Sequence, residues 1–465
     1  MRKMTFALAF CNRGFMPGEL IYGAREDMIK AVTDAGYDYL IMDQEQTRFG
    51  GIETRDEGLL YARWLKQYEG KYDGVIFSMP IFADENGAIA ALQDAGVPIL
   101  MQAYPDEIGK MDFAHRRDAY CGKFSVTDVF TQYGVPFTVL KPHVVHPLTP
   151  AFQENLRDFA AICRVVNGMK RFNLGCIGAR TTAFKTVRFD ELALQKYGIN
   201  VESFDLSEVF DKIAAKENND PDVISKIEHL KKYTDFSGVP EMNLLNLGKL
   251  AVVIDEYIEE YHLDALALRC WNEMESHLRI CPCVILSELN DRGIAASCEI
   301  DICSAVSMRA MALATEQPAA VLDWNNNYGD DENKVVLFHC GPVAQSLMTC
   351  KGTVTNHKMF DKTDPGSGWG CNEGRIKAMP ITISNCQTKD GKILIYADEA
   401  KITDDPIEDG YFGCAGVAEV PDLQNKLIKL ARGGFKHHTA ICNGHVREVL
   451  KEAFTTYLHY DFTEI

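Results

Sequence analysis

Cysteine pairs at metal-ligand spacing are missing from this sequence, although it contains 15 cysteines. The nearest approach is Cys281-Pro-Cys283, which has one intervening residue and not two. An odd, dispersed set of this kind is typical of reduced thiols in the cytoplasm and not of a disulfide framework. Cys176, Cys270 and Cys340 lie within apolar stretches, where cysteine usually acts as a small core residue.

Basic charge and long apolar runs are also scarce. The chain carries 48 Lys and Arg against 66 Asp and Glu, a net charge of −18, which argues against nucleic acid and anionic membranes as partners. No apolar run approaches the roughly 20 residues that span a bilayer. The apolar stretch near the N-terminus stops at Arg13 and is short for a signal sequence, so it predicts a first buried strand in a cytoplasmic protein.

Nucleotide-binding fingerprints are a third absence. Gly175-Cys-Ile-Gly-Ala-Arg180 follows a predicted strand, but it lacks the G-x-G-x-x-G spacing of a dinucleotide loop. The sequence has no P-loop and no G-x-S-x-G elbow. A nicotinamide-dependent dehydrogenase, a P-loop NTPase and an elbow-type hydrolase are therefore disfavoured.

Apolar runs and amphipathic stretches alternate through the first two thirds of the chain, which predicts parallel sheets covered by helices. After residue 320 several strands follow one another, which predicts a β-rich, barrel-like domain. The predicted fold is two tandem Rossmann-like, doubly wound α/β domains followed by this β-rich domain. With 465 residues, the expected domains are 1–168, 169–320 carrying Glu299, and 321–465 carrying Asp323 and His438.

Acidic and imidazole side chains stand at predicted element ends in the C-terminal half. Glu299 precedes a long apolar helix, Asp323 ends a strand 24 residues later, and His437 and His438 open a predicted final helix from about Thr439 to Tyr457. Taken singly, each is explained by an ordinary polar role. Together, a mixed oxygen and imidazole set suits Mn²⁺, Mg²⁺ or Co²⁺ better than a structural zinc.

Three further residues stand at or near the ends of predicted strands, and for Trp271 this is where open α/β sheets place ligands. Arg117 follows a strand and suits an anion or a sugar hydroxyl, or else is part of a solvated basic pair at a helix start. Trp271 follows an apolar strand and suits stacking on a sugar ring, or else is core. His339 ends a strand 16 residues after Asp323 and is either a core histidine or part of the same site.

The sequence resembles the L-fucose isomerase and L-arabinose isomerase superfamily, especially its shorter fucose-isomerase-like members. The resemblance rests on segments that keep a consistent order along nearly the whole chain. They are Gly51-Ile-Glu-Thr-Arg-Asp56, Arg117-Asp-Ala-Tyr-Cys-Gly122, Ile177-Gly-Ala-Arg180, Leu268-Arg-Cys-Trp271, Cys281-Pro-Cys283, Cys298-Glu-Ile-Asp301, Phe338-His-Cys-Gly341 and Gly434-Phe-Lys-His-His-Thr-Ala440.

The resemblance implies a divalent metal, usually Mn²⁺, bound by a Glu, an Asp and a His. These correspond to Glu299, Asp323 and His438, with His438 preferred over His437. In the arabinose-isomerase branch two His and two Glu are ligands, so His339 is either a fourth ligand or a partner of one. Relatives form hexamers with sites at subunit contacts, so a homo-oligomer is expected.

The implied activity is a metal-dependent aldose–ketose isomerase acting on a free monosaccharide through a metal-stabilised enediolate. Glu299 and Asp323 are the expected proton carriers, and Arg117, Trp271, His339 and His437 the expected substrate contacts. One alternative is an anionic, for example sulfonated, hexose such as sulfoquinovose, with Arg13, Arg117 and Arg180 as candidate anion ligands. A non-catalytic sugar-binding protein is the other. The sugar, the native metal and the assignment of acid and base stay open.

Overall fold

The computed structural model describes residues 2–465, which divide into two compact units. The first unit comprises the described part of Met1–Asn167 together with Glu452–His459, and the second comprises Gly168–Lys451 and Tyr460–Ile465. The short C-terminal piece is tied into the first unit through Tyr457, whose hydroxyl lies 2.8 Å from Thr138 Oγ1.

The first unit contains a four-stranded parallel sheet in the order β2-β1-β3-β4. Its strands are β1 (Thr5–Phe10), β2 (Asp38–Ile41), β3 (Gly74–Met79) and β4 (Ile99–Ala103). Its helices are α1 (Leu20–Asp34), α2 (Arg55–Gln67), α3 (Glu85–Leu92), α4 (Ala119–Gln132) and α5 (Pro150–Met169), which runs two residues into the second unit.

Strand β1 shows why this sheet is buried on both sides. Phe6, Leu8 and Phe10 join one apolar core, whereas Ala7 and Ala9 join another. Successive side chains of a strand point to opposite faces, so the unbroken apolar run is the pattern of a strand covered by helices on both faces. The predicted buried first strand is confirmed.

The second unit begins with another four-stranded parallel sheet, in the order β6-β5-β7-β8. Its strands are β5 (Phe172–Ile177), β6 (Ile199–Phe204), β7 (Leu263–Leu268) and β8 (Ala295–Cys298). The helices of this part are α6 (Glu191–Lys196), α7 (Leu206–Ala215), α8 (Pro221–Tyr233), α9 (Glu241–Glu260), α10 (Glu273–Leu278), α11 (Cys283–Asp291) and α12 (Ile302–Thr315).

The same unit continues into a nine-stranded, mainly antiparallel sheet. Its strands are β9 (Ala319–Asn327), β10 (Lys334–His339), β11 (Thr353–Asn356), β12 (Trp369–Arg375), β13 (Met379–Lys389), β14 (Lys392–Ile402), β15 (Cys414–Glu419), β16 (His438–Asn443) and β17 (Asp461–Phe462). The accompanying helices are α13 (Lys358–Asp361), α14 (Leu423–Gly433) and α15 (Arg447–Glu452).

Six strands of this sheet form a ring, β15-β10-β9-β16-β13-β14. The ring closes because β14 also pairs with β15, Lys401 opposite Glu419 and Ile402 opposite Ala418. Closure removes free sheet edges, which is the usual advantage of a barrel. The predicted α/β architecture with a C-terminal barrel-like part is confirmed; the Rossmann-like description and the three domain boundaries stay predictions.

The predicted final helix from about Thr439 to Tyr457 is wrong. Residues 438–443 form the buried strand β16, and helix follows only from Arg447. A short apolar run does not by periodicity distinguish a buried strand from a buried helix. Gly444, with a φ of 106°, ends the strand in a conformation that favours glycine. Helix α14 before it was also missed. Within residues 2–465 no helix is long and apolar enough to cross a membrane.

Candidate active site

Three neighbouring strands of the ring bring the predicted residues together. In β9, Asp323 stands opposite Phe338 of β10 on one side and opposite His438 of β16 on the other. His339 ends β10. Residues that are far apart in sequence therefore become neighbours because β9 lies between β10 and β16.

Glu299 reaches the cluster from a strained turn. It follows β8 directly, and both Glu299 and Ile300 have left-handed backbones, with φ values of 63° and 61°. Such conformations cost on the order of 1–3 kcal/mol each for residues other than glycine and concentrate at functional sites. The turn ends at Asp301, where α12 begins.

The ligand atoms of the cluster lie at separations suited to one cation. His438 Nε2 is 3.1 Å from Glu299 Oε2 and 3.4 Å from Asp323 Oδ1. Two groups of three ligand atoms each lie within 4.8 Å of one another: Glu299, His339 and His438, and Asp323, His437 and His438. His438 belongs to both. Donors about 2.1 Å from a shared octahedral cation are roughly 3 Å apart.

Two carboxylate oxygens in this cluster are buried without a hydrogen-bond partner among residues 2–465. They are Glu299 Oε2 and Asp323 Oδ1. Glu299 is 7% exposed, and although His438 Nε2 is close to its Oε2, the contact does not have hydrogen-bond geometry. A buried carboxylate without a partner is costly. The donor set, two carboxylates and one imidazole, therefore fits a hard or intermediate divalent cation.

His438 is oriented by a second carboxylate. Its Nδ1 lies 2.7 Å from Asp301 Oδ2, so the ring directs Nε2 toward Glu299 and Asp323. Burial alone would lower the pKa of His438, but its contacts with Asp301 and Glu299 outweigh burial and raise the pKa to about 10. Burial also raises the pKa of Asp323, while the surrounding histidines oppose that rise. Without a cation, the surroundings of His438 and Asp323 therefore favour the protonated form of each side chain.

The other two histidines differ from His438 in exposure and partners. His437 is half-buried, and its Nε2 lies 3.6 Å from Asp323 Oδ1. Burial and the neighbouring His438 lower the pKa of His437. His339 is buried, and its Nδ1 accepts a hydrogen bond of 3.0 Å from the Cys340 backbone N–H. Burial would lower the pKa of His339, but Cys340 in particular raises it to about 9.

An aromatic side chain connects Trp271 to the histidine pair. The ring centroid of Phe184 lies 5.2 Å from Trp271, 5.6 Å from His437 and 5.8 Å from His438. Phe184 stands on the loop that also carries Arg180, whose guanidinium donates only to the carbonyls of Thr181 and Thr182. Among residues 2–465 Arg180 has no carboxylate partner, so its charge is available to an anion.

Arg117 belongs to the first unit. There its guanidinium donates to the Pro80 carbonyl at 2.9 Å and lies over the ring of Tyr104. Arg13, in the same unit, is paired with Glu85. The roles predicted for these two arginines stay predictions.

Sequence reasoning missed three groups that shape this cluster: Asp301, Lys436 and Phe184. An Asp directly before an apolar helix is a recognisable N-cap signal, but its second role depends on tertiary contact with His438. Buried thiols next to the cluster were also unforeseen as neighbours: Cys298 Sγ lies 3.1 Å from Cys270 Sγ, and Cys283 Sγ lies 3.4 Å from Cys340 Sγ.

Comparison with known proteins shows the family of the chain. Residues 7–170 match the family described as fucose/sulfoquinovose isomerase, N-terminal domain, and residues 337–465 match L-fucose isomerase, C-terminal domain. The sulfoquinovose isomerase of Priestia aryabhattai is 25% identical over 393 residues, which is 82% of this chain and 83% of the relative. That of Alkalicoccus urumqiensis is 25% identical over 287 residues, 61% of this chain and 63% of the relative.

These matches define the class of protein, a sugar isomerase. The chain belongs to the fucose-isomerase-like family and is an enzyme of the isomerase class.

Proposed function

We propose that this protein is an aldose–ketose isomerase whose substrate is a sulfonated hexose, sulfoquinovose or a close analogue. The observation that carries the reaction is the convergence of Glu299, Asp323 and His438, with two buried carboxylate oxygens that lack a partner among residues 2–465. The sulfonated substrate is favoured over a neutral sugar by the relatives, which are named sulfoquinovose isomerases.

Glu299, Asp323 and His438 would hold a divalent cation, for which Mn²⁺ is our first candidate. When bound, such a cation stabilises negative charge that develops on neighbouring sugar oxygens. The same three residues are the ones that the sequence predicts as ligands. His438 is presented through Nε2, and the carboxylates through Glu299 Oε2 and Asp323 Oδ1.

Isomerisation requires one proton to leave C2 of the open-chain aldose and one to arrive at C1, with a further proton moved between the two oxygens. Glu299 and Asp323 are the two carboxylates available for these transfers. His437, half-exposed beside Asp323, is our candidate for a hydrogen bond to a sugar hydroxyl.

Arg180 is our candidate for the sulfonate. Its guanidinium is partly exposed and lacks a carboxylate partner in the described chain, and its loop places Phe184 against His437 and His438. A guanidinium donates two parallel hydrogen bonds to two oxygens of an anionic group. Trp271, in contact with Phe184, extends the apolar side of the same region.

The test is product formation by the metal-stripped and Mn²⁺-reconstituted protein with sulfoquinovose, glucose and L-fucose, each in D₂O. We expect the ketose from sulfoquinovose only, dependent on Mn²⁺, with deuterium at C1 because the C1 proton comes from an exchangeable group. Turnover of the neutral sugars alone would overturn the substrate, and no turnover of any of the three would overturn the reaction.

The Arg180→Gln variant tests the sulfonate contact separately. Removing a charged hydrogen-bond donor costs about 1.5–3 kcal/mol, so kcat/KM for sulfoquinovose should fall roughly 10- to 100-fold. Arg292→Gln is the matched control, because Asp255 and Glu288 already neutralise that guanidinium. Equal losses in both variants would remove Arg180 from the substrate site.

Two expectations from the resemblance belong to the same proposal. We expect a homo-oligomer, which light scattering on the purified protein would detect. The substrate contact proposed for Arg117 is tested by the same kinetic comparison as that of Arg180. In the structure the guanidinium of Arg117 donates to the Pro80 carbonyl.

A further inference from the structure

Asp301 is the most completely buried carboxylate next to the proposed cation site, and four groups surround it. It is 0% exposed. Its Oδ2 lies 2.7 Å from His438 Nδ1 and accepts from the Ser304 hydroxyl at 2.5 Å. Its Oδ1 accepts from Lys436 Nζ at 2.5 Å and from the Ser304 backbone N–H at 3.0 Å.

We propose that Asp301, fixed in place by Lys436, is a positioning residue that holds His438 so that its Nε2 is presented to the cation. The inference rests on the proposed function. A histidine ring has two nitrogens, and the hydrogen bond made by one decides which way the other faces. Here Nδ1 is engaged by Asp301, so Nε2 faces Glu299 and Asp323. Metal-binding histidines commonly have such a carboxylate partner.

Lys436 balances the charge of this arrangement. It is two residues before His438 in the sequence, and its side chain is almost fully buried against Asp301. A buried carboxylate needs a compensating cation. Lys436 supplies that charge at Oδ1 of Asp301, which leaves Oδ2 facing Nδ1 of His438.

Helix capping alone does not account for these contacts. Asp301 caps α12 through Ser304, but Asp205 caps α7 in the same way, through the backbone N–H and hydroxyl of Ser207. Asp205 is exposed and no histidine or lysine contact accompanies its cap among the described residues. The burial of Asp301 and its bonds to His438 and Lys436 are therefore additional to a cap.

The experiment compares Mn²⁺ affinity in the wild type, Asp301→Asn and Glu288→Gln, measured by electron paramagnetic resonance titration of the metal-stripped proteins. Asn keeps the N-cap but loses the charge that Lys436 and His438 need. Glu288→Gln is the matched control, because Glu288 is also buried and is bonded to a histidine and a lysine, His229 and Lys226. Both variants lose one buried carboxylate.

We expect Asp301→Asn to bind Mn²⁺ about 10- to 100-fold more weakly than the wild type, and Glu288→Gln to bind it with unchanged affinity. An Asp301→Asn affinity within twofold of the wild type would overturn the inference while leaving the proposed function intact. Absence of Mn²⁺ binding by the wild type would instead remove the proposed function, and this inference with it.

Lys436→Met and a spectroscopic measurement cover the case in which Asp301→Asn does not fold. Co²⁺ bound to the wild type and to Lys436→Met should differ in its visible absorption bands, because a displaced His438 changes the ligand field. Glu288→Gln should give the wild-type spectrum. Identical spectra in all three proteins would overturn the role of the Asp301–Lys436 pair.

Discussion

The two four-stranded parallel sheets have the same strand order but end differently. In each, the second strand in sequence lies at one edge, followed by the first, third and fourth. After β4 the chain passes through Tyr104 into a long segment before α4 begins at Ala119. After β8 it makes the tight turn at Glu299 and Ile300 and enters α12 within three residues. The shared topology therefore does not determine which residues follow the fourth strand, and only in the second unit do these residues include a carboxylate of the proposed site, Glu299.

The two units also differ in their buried charged side chains. The second unit pairs its buried Asp301 with Lys436 and His438. Each unit also contains buried titratable side chains without an ionic partner among residues 2–465, such as Lys123 in the first, which donates to the His143 carbonyl, and Glu275 in the second. These groups carry opposite charge, and their effects on stability are expected to run in opposite directions with pH.

The largest expected effect comes from the residue that follows β8. Glu299→Gln removes a proton carrier and a proposed ligand, so kcat/KM should fall about 10³- to 10⁴-fold, with weakened Mn²⁺ binding. Glu275→Gln is the matched control, since Glu275 is likewise a buried carboxylate with oxygens that lack a partner in the described chain. Steady-state kinetics on both variants check this; a Glu299→Gln enzyme within tenfold of the wild type would contradict the assigned role.

Glu275→Gln should itself stabilise the protein. Burial raises the pKa of Glu275 from 4.5 to about 8, so the folded state binds a proton that the unfolded state releases between these values. Stability contributed by this group is therefore full below about pH 4.5 and falls as pH rises to about 8. At pH 7 the variant should gain on the order of 3 kcal/mol.

Urea unfolding of wild type and Glu275→Gln across pH 4.5 to 8 would measure this difference. The gap in free energy of unfolding should widen as pH rises. A constant gap would mean that Glu275 does not change its ionisation in this range.

Lys123→Met should show the opposite dependence in the first unit. Burial lowers the pKa of Lys123 from 10.5 to about 8, so below pH 8 folding must bury a charge. Wild-type stability should therefore rise as pH increases from about 8 to 10.5. At pH 7 Met should stabilise the protein by about 2 kcal/mol, because a lost hydrogen bond of about 1 kcal/mol to the His143 carbonyl offsets part of the gain.

Amide hydrogen exchange would show in which unit the stability gain of Lys123→Met occurs. The protection of β1 and β3 should increase in Lys123→Met at pH 7, whereas that of β5 and β7 should not. Equal changes in both sheets would show that the two units unfold as one.

The sequence was informative about the fold wherever its hydrophobic pattern was long and regular. Both parallel sheets and the barrel-like strands follow from such runs, and the unbroken run of β1 already indicated a sheet covered on both faces. The pattern failed at His438 to Asn443, a segment of six residues, five of them buried, that suits either a strand or a helix. What decides between them is the pairing with β9 and β13, which local sequence does not contain.

For the proposed site, the sequence selected residues that the structure brings together, but it did not indicate how they are held. Glu299, Asp323, His339, His437 and His438 were all selected from their positions at element ends and from the family resemblance, and they lie in one cluster. Asp301 and Lys436 were not selected, because an N-cap Asp and a Lys beside two histidines each have an ordinary explanation. Their roles depend on a contact between residues 135 positions apart.

The smallest expected effect distinguishes a simple helix cap from the one at Asp301. In the first unit Thr54 caps α2 in a reciprocal box: its hydroxyl accepts from the Glu57 N–H, and Glu57 accepts from the Thr54 N–H. Thr54→Ala should lower the free energy of unfolding by about 1 kcal/mol and leave Mn²⁺ affinity unchanged. Asp301→Asn, which keeps its cap but leaves Lys436 buried without its carboxylate, should lower both the free energy of unfolding and the Mn²⁺ affinity. If both variants change only the free energy of unfolding and neither changes the Mn²⁺ affinity, then Asp301 is a helix cap of the same kind as Thr54, and the proposed difference between the two units is contradicted.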